Sequence, residues 1–412
     1  MVLSQTGHTI HHVNMGIIKR YCLSYRKNKK SKNALMKGGT MTKVPSSRNI
    51  NFEILRNVAM LFIVIYHILY HGVQLKETII IPSIVSVPNF IFSQYLLTVC
   101  STCVNLYVLI TGYFMFDKSF KSIRFLKVWF LAVFYGLIIT ATIHYFNPEK
   151  VPLLKVVSSL RPIGMGNYWF VKQYLGLLIA SPLLGYIATT ITKKQFKILL
   201  IVFFILGTNF TQYIGSLPFG EALVFDRGFS FIWFVCLFFT GAYIRRFGFR
   251  YSSFMYFFIL SLLVCLYTVG RVVLFHFLFH KNLHFINYDY NGFPYLLAVL
   301  FFSWIKNHHF NENALTNLLV KMAPYSFAVY LIHDNKFIRS YLYSWGGVNP
   351  DILNSAWMIP HIIIFSLLVF LVCILIDVLR ERLFVICRID KLQNIVSTKL
   401  DKWIYGRLSK LN

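Results

Sequence analysis

Asn51-Phe-Glu53-Ile-Leu-Arg56-Asn57-Val-Ala-Met60-Leu-Phe-Ile-Val-Ile-Tyr66-His67 is an apolar run punctuated by ionisable groups. Carried on to His71 it has the roughly 20 residues that a helix needs to cross a bilayer. Charged groups inside such a helix are costly and usually mark function. Glu53, Arg56, Met60, His67 and His71 all fall on one helical face. Glu53 precedes Arg56 by three residues and can pair with it. Arg56 and His67 are separated by about 16 Å along the axis, at about 1.5 Å per residue.

The remainder of the chain is of the same kind. It has 412 residues, of which 57% are hydrophobic and only 13% charged. Mean hydropathy is +0.61. Apolar runs recur at about 53–71, 89–116, 125–146, 168–188, 196–214, 229–246, 253–279, 292–306, 317–334 and 356–386. The predicted fold is an all-α, polytopic membrane helix bundle of about ten transmembrane helices, with ends uncertain by a few residues.

The net charge of +27 is explained by topology. Lys118, Lys121, Arg124 and Lys127 share one side with Lys193, Lys194, Lys197, Arg245, Arg246 and Arg250. Lys306, Lys321, Arg380, Arg382 and Arg388 join them. The opposite loops carry mixed charge, including Glu77, Glu149, Glu221, Asp226, Asp289 and Asp351. The positive-inside rule places the basic set and both termini in the cytoplasm of a plasma membrane. No nucleic-acid partner is expected, because the basic residues are not gathered on one soluble face.

The ends are polar. Residues 1–46 are basic and patternless, and read as a disordered extension. Lys37-Gly38-Gly39-Thr40-Met41 can be encoded with a ribosome-binding sequence ahead of the Met41 codon, so translation of a bacterial gene is expected to start at Met41. The membrane domain is expected over 47–386. In the tail 387–412, Ile389, Leu392, Val396, Leu400, Trp403 and Leu408 recur at helical spacing. That predicts a cytoplasmic amphipathic helix, lying on the membrane surface or packed against the bundle.

Other polar residues sit in or beside the spans. Asn105 and Thr111-Gly112-Tyr113 lie in the second, and small polar residues there often join helices. Trp169 and Lys172 open the fourth, where an interfacial belt is the simpler reading. His333 closes the ninth, and Arg271 lies in the seventh. Cys100-Ser-Thr-Cys103 lacks a thioredoxin-like setting, and His308-His309 lacks further ligands. No metal site is expected.

These pieces, in this order, resemble the acyltransferase 3 family of membrane acyltransferases. The resemblance rests on Asn51–Arg56 with His67, Val104-Asn105 through Thr111-Gly112-Tyr113-Phe114, Tyr168-Trp169-Phe170 through Ser181-Pro182, and Ser326 through Tyr330 to His333. It covers roughly residues 48 to 385. It implies transfer of an acyl group, usually acetyl, from cytoplasmic acyl-CoA to a hydroxyl of a cell-surface or lipid-linked carbohydrate. It further implies that His67 and Arg56 are the essential pair. Glu53 stands where the family often has Asp, and Thr111 where it usually has Ser. No fused hydrolase-like domain is seen, so a second transfer step would require a partner from polysaccharide assembly.

The expected catalytic residues are therefore His67, Arg56 and Glu53. Arg124, Lys127, Asn105, Tyr113, Trp169, Lys172 and His333 are the expected substrate contacts. A neutral His67 suits a general base, although a covalent acyl-His is also open. Arg56 stays protonated and suits CoA phosphates near the cytoplasmic mouth. Acetyl-CoA or another acyl-CoA is the expected donor substrate, with no permanently bound cofactor. The alternative class is a transporter or flippase for a lipid-linked or polymeric sugar, which would not consume acyl-CoA.

Overall fold

A computed structural model describes residues 49–75, 87–162, 168–207, 228–279 and 292–408. The expected start at Met41 and the loop acids Glu77, Glu221, Asp226 and Asp289 lie outside the described residues. So does the side chain of Arg271.

The described residues form helices and no strand. In chain order they are α1 Ile50–His67, α2 Val87–Cys100, α3 Cys103–Met115, α4 Ser122–Phe146, α5 Leu153–Ser158, α6 Trp169–Thr190, α7 Lys193–Gly207 and α8 Phe231–Phe247. Then follow α9 Phe254–Phe279, α10 Phe293–Asn307, α11 Ala314–Met322, α12 Ser326–His333, α13 Arg339–Trp345, α14 Met358–Ile386 and α15 Ile389–Leu408. Each expected span has its counterpart. Six segments among the described residues are long and apolar enough to cross a membrane, and shorter apolar helices accompany them. The chain is an all-α polytopic membrane bundle.

Two spans that carry polar groups are divided and a third holds an internal proline, each with a visible cause. The second divides into α2 and α3 where Ser101 Oγ donates to the Thr98 carbonyl and Thr102 Oγ1 to the Val99 carbonyl. Such back-bonding competes with the helical ladder. The ninth divides into α11 and α12 at a 3-10 turn, Ala323–Tyr325. Pro324 sits in that turn; it has no N–H to continue the α-helix and its ring would press on the preceding turn. In α6, Pro182 removes the bond to the Leu178 carbonyl, and Ser181 Oγ supplies a replacement at 2.9 Å.

α1 is the hub. Helices α2, α3, α10, α11, α12 and α14 pack around it. The most apolar window of the α1 segment is 78% buried, against 28% for α4 and 39% for α14, which therefore lie at the lipid-facing periphery. The polar groups of α1 are thus held inside protein. Asn51 Nδ2 donates to the carbonyls ending α10, at 2.8 Å to Ile305 and 2.7 Å to His308. Asn57 Nδ2 donates to Leu319 of α11 at 2.7 Å.

Two glycines allow the closest crossing. A methyl group on Gly112 of α3 would collide with the Phe238 backbone of α8, and one on Gly241 of α8 with the Leu109 carbonyl. Small residues at such a crossing let two backbones approach, which is the main source of helix association in lipid. A further buried charge pins the periphery: Asp377 of α14 takes a bidentate contact from Arg380 and the Tyr135 hydroxyl of α4 at 2.7 Å.

Helix α15 settles between the two expected positions. Its polar stripe, Gln393, Ser397 and Tyr405, is buried. Asp401 Oδ1 accepts the Ser122 amide at 3.0 Å, and the Tyr405 hydroxyl donates to the Phe120 carbonyl at 2.8 Å. Leu392, Ile395, Val396, Leu400 and Trp403 remain exposed on the other side. The helix packs through its polar face and leaves its apolar face outward.

Candidate active site

His67 ends α1, and the chain then turns through a π-helical stretch, Ile68–Gly72, with Val73 N bonded to the Ile68 carbonyl at 2.9 Å. The wider turn interrupts the regular helix between His67 and His71. Such single π-turns are frequent at functional sites. The His67 and His71 ring centroids are 5.7 Å apart, yet the two rings line different cavities.

The end of α12 meets His67 from the other side. His67 Nδ1 lies 3.0 Å from His333 Nε2 and 3.4 Å from Asp334 Oδ1. The proton positions follow from the partners. His333 Nδ1 is 2.5 Å from the Val329 carbonyl. A carbonyl oxygen only accepts, so Nδ1 of His333 carries the hydrogen and, in the neutral ring, Nε2 accepts. His67 Nδ1 must then be the donor, and the lone pair of a neutral His67 resides on Nε2. No hydrogen bond to His67 Nε2 is found among the described residues.

A second layer fixes this geometry. Arg339 Nε lies 3.4 Å from Asp334 Oδ1, and Arg339 Nη1 lies 2.7 Å from His71 Nε2. The Tyr343 hydroxyl donates to the His67 carbonyl at 3.2 Å, and burial pushes its pKa well above the ordinary phenol value. Tyr168, just ahead of α6, donates to the Leu331 carbonyl at 2.9 Å and accepts from Asn335 at 2.8 Å, clamping the turn that presents His333.

His67 opens onto a narrow cavity lined by Met60, Ile63, Val104, Tyr107, Trp169, Phe170, Phe327 and Tyr330. Apart from the rings' polar tips its wall is apolar. The Tyr330 hydroxyl is buried without a hydrogen-bond partner among the described residues. Tyr107 donates to Ser326 Oγ at 2.8 Å, because that hydroxyl already donates to the Ala323 carbonyl. One turn beyond Met60, towards the start of α1, Arg56 Nη1 pairs with Glu53 Oε1 at 2.6 Å. Glu53 is buried, whereas the Arg56 side chain is 33% exposed.

The expected site residues thus divide. His67 and Trp169 line the cavity, His333 bonds His67 from behind it, and Glu53 with Arg56 stands at the other end of α1. Tyr113 stacks near Phe52, 4.8 Å between centroids, and its hydroxyl accepts from Arg245 at 3.1 Å. Asn105 accepts from Trp233 Nε1 at 3.1 Å, a contact between α3 and α8. Arg124 donates to the Ser119 carbonyl, and Lys127 and Lys172 are exposed; none of these three lines the cavity. Asp334, Arg339 and Tyr343 were not singled out by sequence, and Tyr168 entered only as part of the stretch that carries the family resemblance. Only the adjacency of Asp334 to His333 offered a signal.

His67, His71 and Asp334 bring ligand atoms within 4.8 Å of one another. Arg339 takes the His71 lone pair and sits beside Asp334, so a cation there would face a fixed positive charge. Cys100 and Cys103 are buried free thiols.

The model of the acyltransferase domain family, acyltransferase 3, matches residues 49–378. The chain belongs to this acyltransferase family. The match takes in α1 through most of α14, hence every residue of the His67 cluster, and the chain is a membrane acyltransferase. No curated protein and no solved structure matches it. For an acyltransferase the arrangement has a plain chemical sense: a histidine with a fixed tautomer faces an apolar slot, with a carboxylate behind its other nitrogen.

Proposed function

We propose that this acyltransferase moves an acyl group, most simply acetyl, from acyl-CoA to a hydroxyl of a cell-surface or lipid-linked carbohydrate. The reading rests chiefly on the His67–His333–Val329 chain, which leaves His67 Nε2 as the free base. In the reaction Nε2 takes the acceptor's hydroxyl proton as its oxygen attacks the thioester carbonyl. The tetrahedral intermediate collapses, the C–S bond breaks, and the leaving thiolate recovers the proton from His67. The products are an ester and free CoA. Asp334 steadies the imidazolium that forms in between. The unpartnered Tyr330 hydroxyl is the group at hand to donate to the thioester oxygen as it gains charge.

The donor enters from the Arg56 end, on the cytoplasmic side that the positive-inside rule assigns. Arg56, partly exposed, meets CoA phosphates. The apolar slot from Met60 to His67 takes the pantetheine arm, about 10 Å of helix rise. A direct transfer is favoured over a covalent acyl-His, since a base that must also receive acceptor is needed in either case and one step suffices.

The test is reconstitution in vesicles with labelled acetyl-CoA and a carbohydrate extract of the native envelope. Label is expected in the carbohydrate with the unaltered chain and not with His67→Ala. Full transfer by His67→Ala would overturn the reading. Movement of unmodified glycan across the vesicle without acyl-CoA would favour a flippase instead.

A further inference from the structure

On the far side of His71 lies a second cavity, unlike the first. It is open, about 590 Å³ in volume, and lined by His71, Gln74, Lys336, Arg339, Ser344 and Asn349 among others. The volume falls in the usual range for small-molecule sites, about 300–1,000 Å³. Tyr343 forms part of its wall and bonds the His67 carbonyl, so the cavity adjoins the reacting histidine.

Among the described residues its charge is one-sided. No carboxylate lines it among the described residues. Arg339 has Asp334 as a neighbour, but Lys336 makes no ion pair among the described residues, its aromatic neighbour Phe337 apart. Partial burial and the charges of Lys155 and Arg339 push the Lys336 ammonium below its ordinary value. Clustered like charges repel one another, and an anion placed among them relieves that repulsion. These cations also stand on the side where the positive-inside rule leaves loops poor in Lys and Arg, so topology does not account for them.

We propose that this cavity is the acceptor site and that it selects a carbohydrate bearing a negative charge, a carboxylate or a phosphate, held by Lys336 and Arg339 while a hydroxyl reaches His67. This rests on the acyl-transfer reading above. The cavity is polar where the first is apolar, which suits a sugar rather than an acyl chain. The two cavities meet at the His67–His71 pair, so donor and acceptor approach from opposite sides. The wide mouth fits a polymer or lipid-linked chain with only its terminal sugars enclosed.

The experiment uses the full chain in nanodiscs of neutral phosphatidylcholine and compares glucuronate, glucose 1-phosphate and glucose as ligands. The readout is the rise in unfolding temperature with ligand concentration. Glucuronate and glucose 1-phosphate are expected to act at about tenfold lower concentration than glucose, the scale of one charge-assisted contact. Lys336→Gln should abolish that preference, Lys336→Arg should retain it, and Lys194→Gln, on the N-terminus of α7, should leave it unchanged. Equal action of the three sugars on the unaltered chain would overturn the proposal. So would a preference that survives Lys336→Gln. Two further arms separate other sources of the same anion. If phosphatidylglycerol in the disc removes the glucuronate effect, the cations serve lipid headgroups and the proposal fails. If acetyl-CoA competes with glucuronate, the cavity belongs to the donor and the proposal fails. Acetyl-CoA binding in the same discs is read separately: its absence would sink the acyl-transfer reading, while binding without an anion preference would sink only this one.

Discussion

His333 Nε2 lies 3.0 Å from His67 Nδ1, joining the end of α12 to the end of α1 across 266 residues of chain. The contact fixes which nitrogen of a neutral His67 carries the lone pair. His67→Ala is expected to lower kcat by about 10²–10⁴-fold, the usual worth of a general base. His333→Ala should lower kcat by less, roughly tenfold, because His67 then samples both tautomers and Asp334 alone must hold its Nδ1–H. Steady-state kinetics on both variants, with KM for acyl-CoA nearly unchanged, check this ordering.

Tyr330→Phe removes only an oxygen that is buried without a partner. Stability should hold or rise slightly, since an unmet polar group is lost from the interior. If the hydroxyl meets the thioester oxygen, kcat falls by about 10²-fold. Thermal unfolding and turnover measured on one preparation separate the two effects. A variant as active as the parent would remove Tyr330 from the mechanism.

Met60 and Ile63 line the slot between Arg56 and His67. Met60→Trp is expected to fill it, raising KM for acyl-CoA by about tenfold or more with KM for the acceptor unaltered, as loss of binding without loss of chemistry requires. A rise in acceptor KM instead would mean that the slot serves the acceptor.

Gly112→Ala forces α3 from α8, because the new methyl meets the Phe238 backbone rather than a yielding side chain. Overpacking of this kind costs about 1–3 kcal/mol. The unfolding temperature in detergent should fall clearly, and Gly241→Ala should act alike from the facing helix. Wild-type stability in either variant would contradict the close crossing.

Asp401→Ala leaves the Ser122 amide at the start of α4 without its acceptor. Lys121, the residue at the cap position, provides no side-chain cap bond to the helix. The loss is expected at about 1 kcal/mol, the usual worth of a helix cap. Asp401→Asn should restore most of it, and chemical unfolding in detergent would read both.

The sequence by itself determined the class of fold and the apolar spans, and it pointed to α1 as the helix carrying the candidate site. Apolar runs are long because every backbone group in lipid must be bonded within its own helix, and Glu53, Arg56 and His67 stand out because such groups are too costly to keep there without use. Asn105 and Tyr113 show where that reasoning stops: polar residues in a span look alike whether they bond a neighbouring helix or face a cavity. Tertiary structure decided that they contact Trp233 and Arg245. It also decided the partners of His67. His333, Asp334 and Arg339 lie far along the chain, and their meeting depends on the π-turn after His67 and the proline break before α12, both local departures from an ideal helix. A periodic pattern assumes that ideal helix; where the backbone leaves it, only the packed structure says which side chains meet.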